Sequence, residues 1–380
     1  MMSKLRNKGI DGDEMDIRRS LLALLVLWMA GGIALHAVTV TAQPWGKDQT
    51  GNPVDLYTLK DQNAEVQLTT YSARIVSISV PDKSGQMSSV VLGSPSLDGY
   101  LQGRVPFEGA TIGRFANRLA GGEFHLDGNA YEIPKNNGGN TLHGGTLGFD
   151  RKVWSAKPTA DGVIMTLVSP DGDMGFPGNL TVSVDFELRR QRGAPALSIR
   201  YTAETDHATV INLTNHSYFN LANDPSAPVF DDIARIDADK YTPLDGKGIP
   251  TGTIEPVEGT ALDFREAHPI GKSIPERGYD HNFVLRKHKA TVAVAEVSDP
   301  VSGRDVQVFT NQPGLQFYVP KSPAPPPNAN APVRRGTAAF CFETQHFPNS
   351  PNQPSFPTTT LMPGSTFHSI TTYVFTIKRN

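Results

Sequence analysis

The amino-acid sequence predicts an all-β protein whose strands pack face to face. Leu180, Val182, Val184, Phe186 and Leu188 alternate with Thr181, Ser183, Asp185, Glu187 and Arg189, the period-two pattern of a strand with one buried face. The same alternation recurs over residues 197–204, 291–297 and 371–377. The 35 glycines and 30 prolines supply many turns, and no segment sustains a helical apolar stripe over several turns.

Taken in order, the chain opens with an apolar run over residues 20–40, SLLALLVLWMAGGIALHAVTV. Arg18 and Arg19 precede it, and Val40-Thr41-Ala42 leads into Gln43. A basic flank, an apolar stretch and small residues at the −3 and −1 positions are the parts of a secretory signal, with cleavage expected after Ala42. The paired arginines also fit a twin-arginine signal, so the export route stays open. The alternative is a membrane anchor through residues 20–40, since about 20 apolar residues span a bilayer; Gly31, Gly32 and His36 weaken it. Asp11, Asp13 and Glu14 are unusual ahead of a signal, which makes Met15 the expected initiator. No composition break divides the chain beyond Gln43. The expectation is a signal over residues 1–42 and one domain over residues 43–380, periplasmic or secreted.

Within that domain, turn clusters punctuate the strands at Asp171-Gly172-Asp173, Pro177-Gly178 and Asp245-Gly246-Lys247-Gly248. The proline-rich residues 320–335, PKSPAPPPNANAPVRR, read as an extended surface loop. A formal net charge of −3 provides no basic surface for nucleic acid or anionic lipid, so a neutral small molecule is the expected partner. The single cysteine, Cys341, excludes an internal disulfide and a thiolate zinc site. Flanked by Phe340 and Phe342, it reads as a buried strand residue.

Five polar clusters carry candidate chemistry. GRFANR, residues 113–118, offers two arginines and an asparagine that either donate to hydroxyls or are simply solvated. NTLHGGTLGFDRKVW, residues 140–154, lacks the spacing of a phosphate or dinucleotide loop. Its glycines let backbone and His143 approach a ligand, or form an ordinary turn. INLTNHSYFNL, residues 211–221, sets His216 among Asn212, Asn215 and Asn220, which implies a polar cleft or a hydrogen-bonded strand junction. GYDHNFVL, residues 278–285, places Asp280 and His281 before an apolar strand. FCFETQHF, residues 340–347, embeds Glu343 in apolar company, which raises a carboxyl pKa and suits a proton-transfer base as well as a paired structural glutamate. His143, His216, His281 and His346 show no metal-ligand spacing, so no metal is expected. The absence of GxSxG removes the commonest serine hydrolase.

In this order, NTLHGG, NLTNHSYFNL, GYDHNF, PGLQFY (residues 313–318) and FETQ resemble the aldose 1-epimerase, or galactose mutarotase, family. GSPSLDGYL, IPTG and GTALDF add weaker matches, and the similarity runs from SVPDKSG near Val80 to the terminal TTYVFTIK. The resemblance implies a large antiparallel β-sandwich of the galactose mutarotase-like supersandwich type, with an open sugar-binding cleft. It implies Glu343 as general base, His216 as general acid and His143 as second active-site histidine. Asp280, Asn117, Arg118 and Gln316 correspond to the family's substrate-binding residues. The chain departs from the family in Tyr71-Ser72-Ala73, where the middle residue is usually glycine, in Phe342, where leucine is commoner, and in the proline-rich residues 320–335.

The implied reaction interconverts the α and β anomers of free aldoses such as glucose or galactose. It opens a cyclic hemiacetal by removing the C1 hydroxyl proton and protonating the ring oxygen, then closes it on the other face. A glutamate and a histidine in opposite protonation states suffice. Glu343 is therefore expected ionised and His216 protonated at the start, and no cofactor is expected. The expected partner is a monosaccharide, and the expected assembly a monomer or weak dimer, free of nucleic acid and, after cleavage, of membrane. The alternatives are a glycoside hydrolase pairing Glu343 with Asp280, and a non-catalytic sugar-binding module on the same fold.

Overall fold

The computed structural model describes residues 38–103, 107–321 and 337–378. Most of the expected signal, residues 1–37, lies outside the described residues, as do residues 322–335 of the proline-rich loop. Among the described residues, helix is limited to Leu97–Leu101 and short 3₁₀ turns, and no helix is long and apolar enough to cross a membrane.

The strands that alternation predicts form the centre of a nine-stranded antiparallel sheet. Leu180–Gln191 and Ala194–Thr205 pair residue for residue from Leu180↔Thr205 to Gln191↔Ala194. The turn between them is Arg192-Gly193, both with positive φ (53° and 84°), the mirror-image hairpin geometry that matches strand twist. Phe367–Ile377 pairs with Ala194–Thr205 on one side and Arg304–Thr310 on the other. Ala293–Ser298, Ile233–Ile236 and His268–Pro269 extend the sheet one way, and Gly162–Ser169 and Ser155–Pro158 the other.

Two further antiparallel sheets cover this one. A six-stranded sheet runs in the order Tyr218–Phe219, Phe340–Gln345, Gly314–Val319, Tyr279–Leu285, Ala238–Tyr241, Glu255–Pro256. A five-stranded sheet takes Thr39–Lys47, Pro53–Lys60, Glu65–Thr69, Arg74–Pro81 and Met87–Ser89 in chain order. One hydrophobic cluster joins all three: Val182, Val184 and Phe186 from the nine-stranded sheet, Phe317, Phe340 and Phe342 from the six-stranded, Leu68 and Ile78 from the five-stranded. Each such side chain contributes about 1.5–3 kcal/mol on burial. The Tyr373 hydroxyl crosses the core to donate to the Phe342 carbonyl (3.2 Å). This is the sandwich expected from the sequence.

Alternation within the six-stranded sheet decides what faces away from the core. Phe340 and Phe342 point inward, so Cys341, Glu343 and Gln345 share the opposite face. Leu315, Phe317 and Val319 likewise point inward, which turns Gly314, Gln316 and Tyr318 to the other face. That face is where the sequence-predicted chemistry gathers. The expected cleavage position falls inside the edge strand Thr39–Lys47, where Ala42 pairs with Tyr57. A cut after Ala42 leaves residues 57–60 as the open edge of the sheet.

Candidate functional site

One wall of the site is built by strand register. Gln316 pairs across the sheet with Glu343 on one side and Asn282 on the other. Asp280 and Asn282 are two residues apart, so Asp280, Gln316 and Glu343 stand on one face of three neighbouring strands. Gln316 Nε2 donates to Asp280 Oδ1 (2.6 Å). Both amide and carboxylate are thereby fixed beside Glu343, which is 2% exposed.

The facing wall is built by irregular backbone. Asn117 and His143 both adopt positive φ (62° and 54°) and bond reciprocally. The His143 N–H donates to the Asn117 carbonyl (3.0 Å), and the Asn117 N–H donates to His143 Nδ1 (3.2 Å). Gly144 follows at φ 85°, with the Gly113 carbonyl packed so closely that an added Cβ would lie 2.0 Å from its oxygen. Arg118 reaches across to Asp280 Oδ2 (3.3 Å) and joins the two walls. His216 is held by its backbone, its N–H donating to the Ala110 carbonyl (3.0 Å) while its own carbonyl accepts from Gly109 (2.9 Å). Its ring stacks with Tyr218 (5.0 Å between centroids, 15°) and Phe107 (5.8 Å, 22°).

These constraints place His216 Nε2 3.7 Å from Glu343 Oε1, with both side chains buried. Burial pushes the Glu343 carboxyl up to about 8; the Asp280 charge acts in the same direction and Arg118 against it. Burial pushes the His216 imidazole down to about 4, partly offset by Asp280. Burial thus opposes both charges of the expected starting pair, ionised Glu343 and protonated His216, and favours a neutral carboxyl beside a neutral imidazole. Both arrangements hold the same single proton, and its passage from Glu343 to His216 turns one into the other. His143 is lowered well below its ordinary value by burial, by His216 and by Arg118, so it too is neutral.

Donor atoms of His143, His216 and Glu343 fall within 4.8 Å of one another, a convergence that sequence spacing did not reveal. The tautomer of His143 argues against a metal there. Its Nδ1 lone pair accepts the Asn117 N–H, so the neutral ring carries its proton on Nε2 and has no free lone pair to ligate with. That Nε2–H is instead a fixed donor. The arrangement is suited to moving protons and binding hydroxyls.

Residues 55–374 match the sequence model of the aldose 1-epimerase family. The chain belongs to that family. It is 40% identical over 345 residues to the galactose mutarotase of Sus scrofa, covering 90% of this chain and 99% of that one. It is 34% identical over 337 residues to the aldose 1-epimerase of Escherichia coli K12, covering 86% and 96%. Among solved structures, an aldose epimerase homologue from C. elegans superposes with a TM-score of 0.77 at 25% identity, and a galactose 1-epimerase from Lactobacillus acidophilus NCFM with 0.76 at 26%. Each covers 90% of this chain and 100% of its own. The chain is thus a carbohydrate isomerase that interconverts aldose anomers.

In this aldose 1-epimerase the five sequence clusters divide between site and scaffold. Glu343, His216, His143, Asn117, Arg118, Asp280 and Gln316 are linked by contacts into one cluster. Arg114 of GRFANR is instead buried and donates to the carbonyls of Ser169, Pro170, Pro177 and Gly178. The asparagines around His216 form a strand junction: Asn212 bonds Ala116 and His346, Asn215 bonds Gly109, and Asn220 bonds Ala338. His281 accepts from the Asp280 N–H, and His346 faces Gln312. Phe107, Tyr218 and Tyr318 surround His216 and were not among the expected site residues; Tyr218 and Tyr318 lie inside NHSYF and PGLQFY, whereas no motif flags Phe107. Cys341 is buried, as its neighbours implied. At the departure Ser72, φ is 65°, the left-handed region where glycine is unstrained. Its hydroxyl donates to the Tyr71 carbonyl and accepts from Arg74 Nε.

Proposed function

We propose that Glu343 is the general base and His216 the general acid of anomer exchange in this epimerase. Sugar hydroxyls brought against Glu343 favour its carboxylate, and its proton passes to His216. Glu343 then takes the C1 hydroxyl proton while the bond from C1 to the ring oxygen breaks and His216 protonates that oxygen. The open aldehyde turns about C1–C2 and closes on its other face as both protons return. The observation that carries this reading is the buried 3.7 Å approach of Glu343 Oε1 to His216 Nε2, close enough for the two groups, side by side, to reach two oxygens borne by one carbon. His143 Nε2–H donates to a substrate oxygen, while Asp280, Arg118, Asn117 and Gln316 orient the remaining hydroxyls. Asp280 has one oxygen bonded to Gln316 and the other to Arg118, which supports a binding role for it over that of second proton-transfer carboxyl in a glycoside-hydrolase pairing.

Polarimetry on freshly dissolved α-D-glucose tests the assignment. Glu343→Gln and His216→Asn each lower mutarotation by about 10² to 10⁴ with folding intact. Near wild-type turnover in either variant removes that residue's role. A parallel panel of glucose, galactose, xylose and arabinose ranks the substrates.

We further infer that residues 1–42 carry the export signal, and that residues 43–380 act as a single periplasmic or secreted domain, monomeric or weakly dimeric. The basic flank and apolar run of residues 18–40 support this. N-terminal sequencing of the mature protein is expected to begin at Gln43; retention of residues 20–40 with the membrane fraction favours the anchored alternative.

A further inference from the structure

We propose that Gln345 and Asn282 are positioning residues that hold ordered water against the inner oxygen of Glu343, behind the sugar cleft. The inference rests on the reading of Glu343 as base and adds to it what steadies that base.

Gln345 stands two residues beyond Glu343 on the same strand and therefore on the same face. Its cross-strand partner is Gly314, and Asn282 lies opposite Gln316. All four polar residues of this patch, Asn282, Gln316, Glu343 and Gln345, are at most 2% exposed. Within them, Gln345 Oε1 and Nε2, Asn282 Oδ1, Gln316 Oε1 and Glu343 Oε2 find no hydrogen-bond partner in the protein. So dense a group of unsatisfied buried atoms, on three adjacent strands, needs a partner that both donates and accepts. Water does, and three or more convergent polar atoms are what an internal water requires. Gly314 lies against this patch and no larger residue fits: a Cβ there would lie 2.5 Å from Asn282 Oδ1 and 3.1 Å from the Gln345 carbonyl.

The chemistry follows from the two faces of the carboxyl. Oε1 looks across the cleft to His216, whereas Oε2 is turned away from solvent. A water that accepts from Gln345 Nε2 has both its protons to give, one to Asn282 Oδ1 and one to Glu343 Oε2. Donation to a carboxylate favours its charged form and opposes the effect of burial, which pushes Glu343 upward. The other groups around Glu343 are His216 and His143 from the loop wall, Arg118, Asp280 on the neighbouring strands, Tyr218, Tyr318, and Cys341 on its own strand. None of them supplies a hydrogen bond to Oε2.

The test is the pH dependence of kcat/KM, by polarimetry, for wild type, Gln345→Met, Asn282→Leu, Gly314→Ala and the amide-retaining Gln345→Asn. The expected result is an acid-side limb moved alkaline by about one unit in the first three, a roughly tenfold loss on the acid side alone, with Gln345→Asn returning toward wild type. Limbs superposable on wild type in folded Gln345→Met and Asn282→Leu overturn the proposal, as does a uniform loss at every pH. Where a variant fails to fold, a high-resolution crystal structure of the wild type decides: water bonded to both Gln345 Nε2 and Glu343 Oε2 is expected, and a dry contact overturns the idea. Glu343→Gln separates the two readings, since full activity in that variant removes the base itself, whereas unchanged Gln345 variants beside an inactive Glu343→Gln remove only the water.

Discussion

The two walls of the cleft solve the same problem by opposite means. Asp280, Gln316 and Glu343 are placed by antiparallel register, where side-chain direction follows from alternation. Asn117, His143 and His216 are placed by backbone that no sheet imposes, through left-handed residues and reciprocal bonds between segments distant in sequence. The sheet wall is therefore rigid by repetition and tolerant of local change. The loop wall is specific at single residues, and Arg118–Asp280 is where one braces the other.

The sharpest way to break this contrast is Gly144→Ala. The position has φ 85° and no room for a Cβ beside the Gly113 carbonyl, so the substitution displaces His143 directly. A misplacement of about 1 Å is worth roughly 10²-fold in rate. We expect mutarotation to fall by at least that factor, read by polarimetry beside a melting curve that shows the variant folded. If activity survives, the loop wall is not the exacting one. Asp280→Asn tests the brace and should act less severely, since one neutral acceptor remains. The expected outcome is about a tenfold rise in KM with kcat changed less, because a hydrogen bond to a charged group contributes about 1.5–3 kcal/mol. A loss confined to kcat would assign Asp280 to proton transfer instead.

The same contrast explains what the sequence disclosed. Alternation at Leu180, Val182 and Val184 shows a strand and its buried face directly, and the apolar neighbours of Glu343 in FCFETQ reveal a buried carboxyl without further information. For the loop wall, the motif resemblance named Asn117, His143 and His216, but nothing in their spacing brings them together. Arg114 and Arg118 occupy one hexapeptide, yet the first pins four carbonyls of another loop and the second faces the cleft, a division set by long-range contacts. Protonation was harder still. The proposed roles call for ionised Glu343 and protonated His216, whereas the desolvation that opposes both comes from Phe107, Tyr218 and the sheet around them.

That desolvation makes the sheet wall a store of pH-dependent instability, and Glu343→Gln measures it. The folded carboxyl, near 8, lies above its ordinary value of 4.5, so the native state keeps a proton that the unfolded chain has released across that window. Stability is thus lost as pH rises through the window and fully lost above it. The neutral glutamine escapes this, and its Tm should exceed wild type by several degrees above about pH 9 while matching it below about pH 4. Equal melting curves at alkaline pH would mean that Glu343 is solvated in the native protein.

Ser72→Gly carries the comparison to the smallest scale. Ser72 is a left-handed residue in the turn just before the strand Arg74–Pro81, followed by Ala73 at φ 41°, and it is buried. Glycine relieves strain of roughly 1–2 kcal/mol. It also removes the hydroxyl that links the Tyr71 carbonyl to Arg74 Nε, a loss of about 1–3 kcal/mol for buried groups left unpaired. The two nearly cancel, so the shift in unfolding free energy should stay within about 1 kcal/mol, with mutarotation unchanged because none of the cleft residues bonds to Ser72. A larger destabilisation would show that the hydroxyl, rather than the backbone angle, is why this chain departs from glycine here.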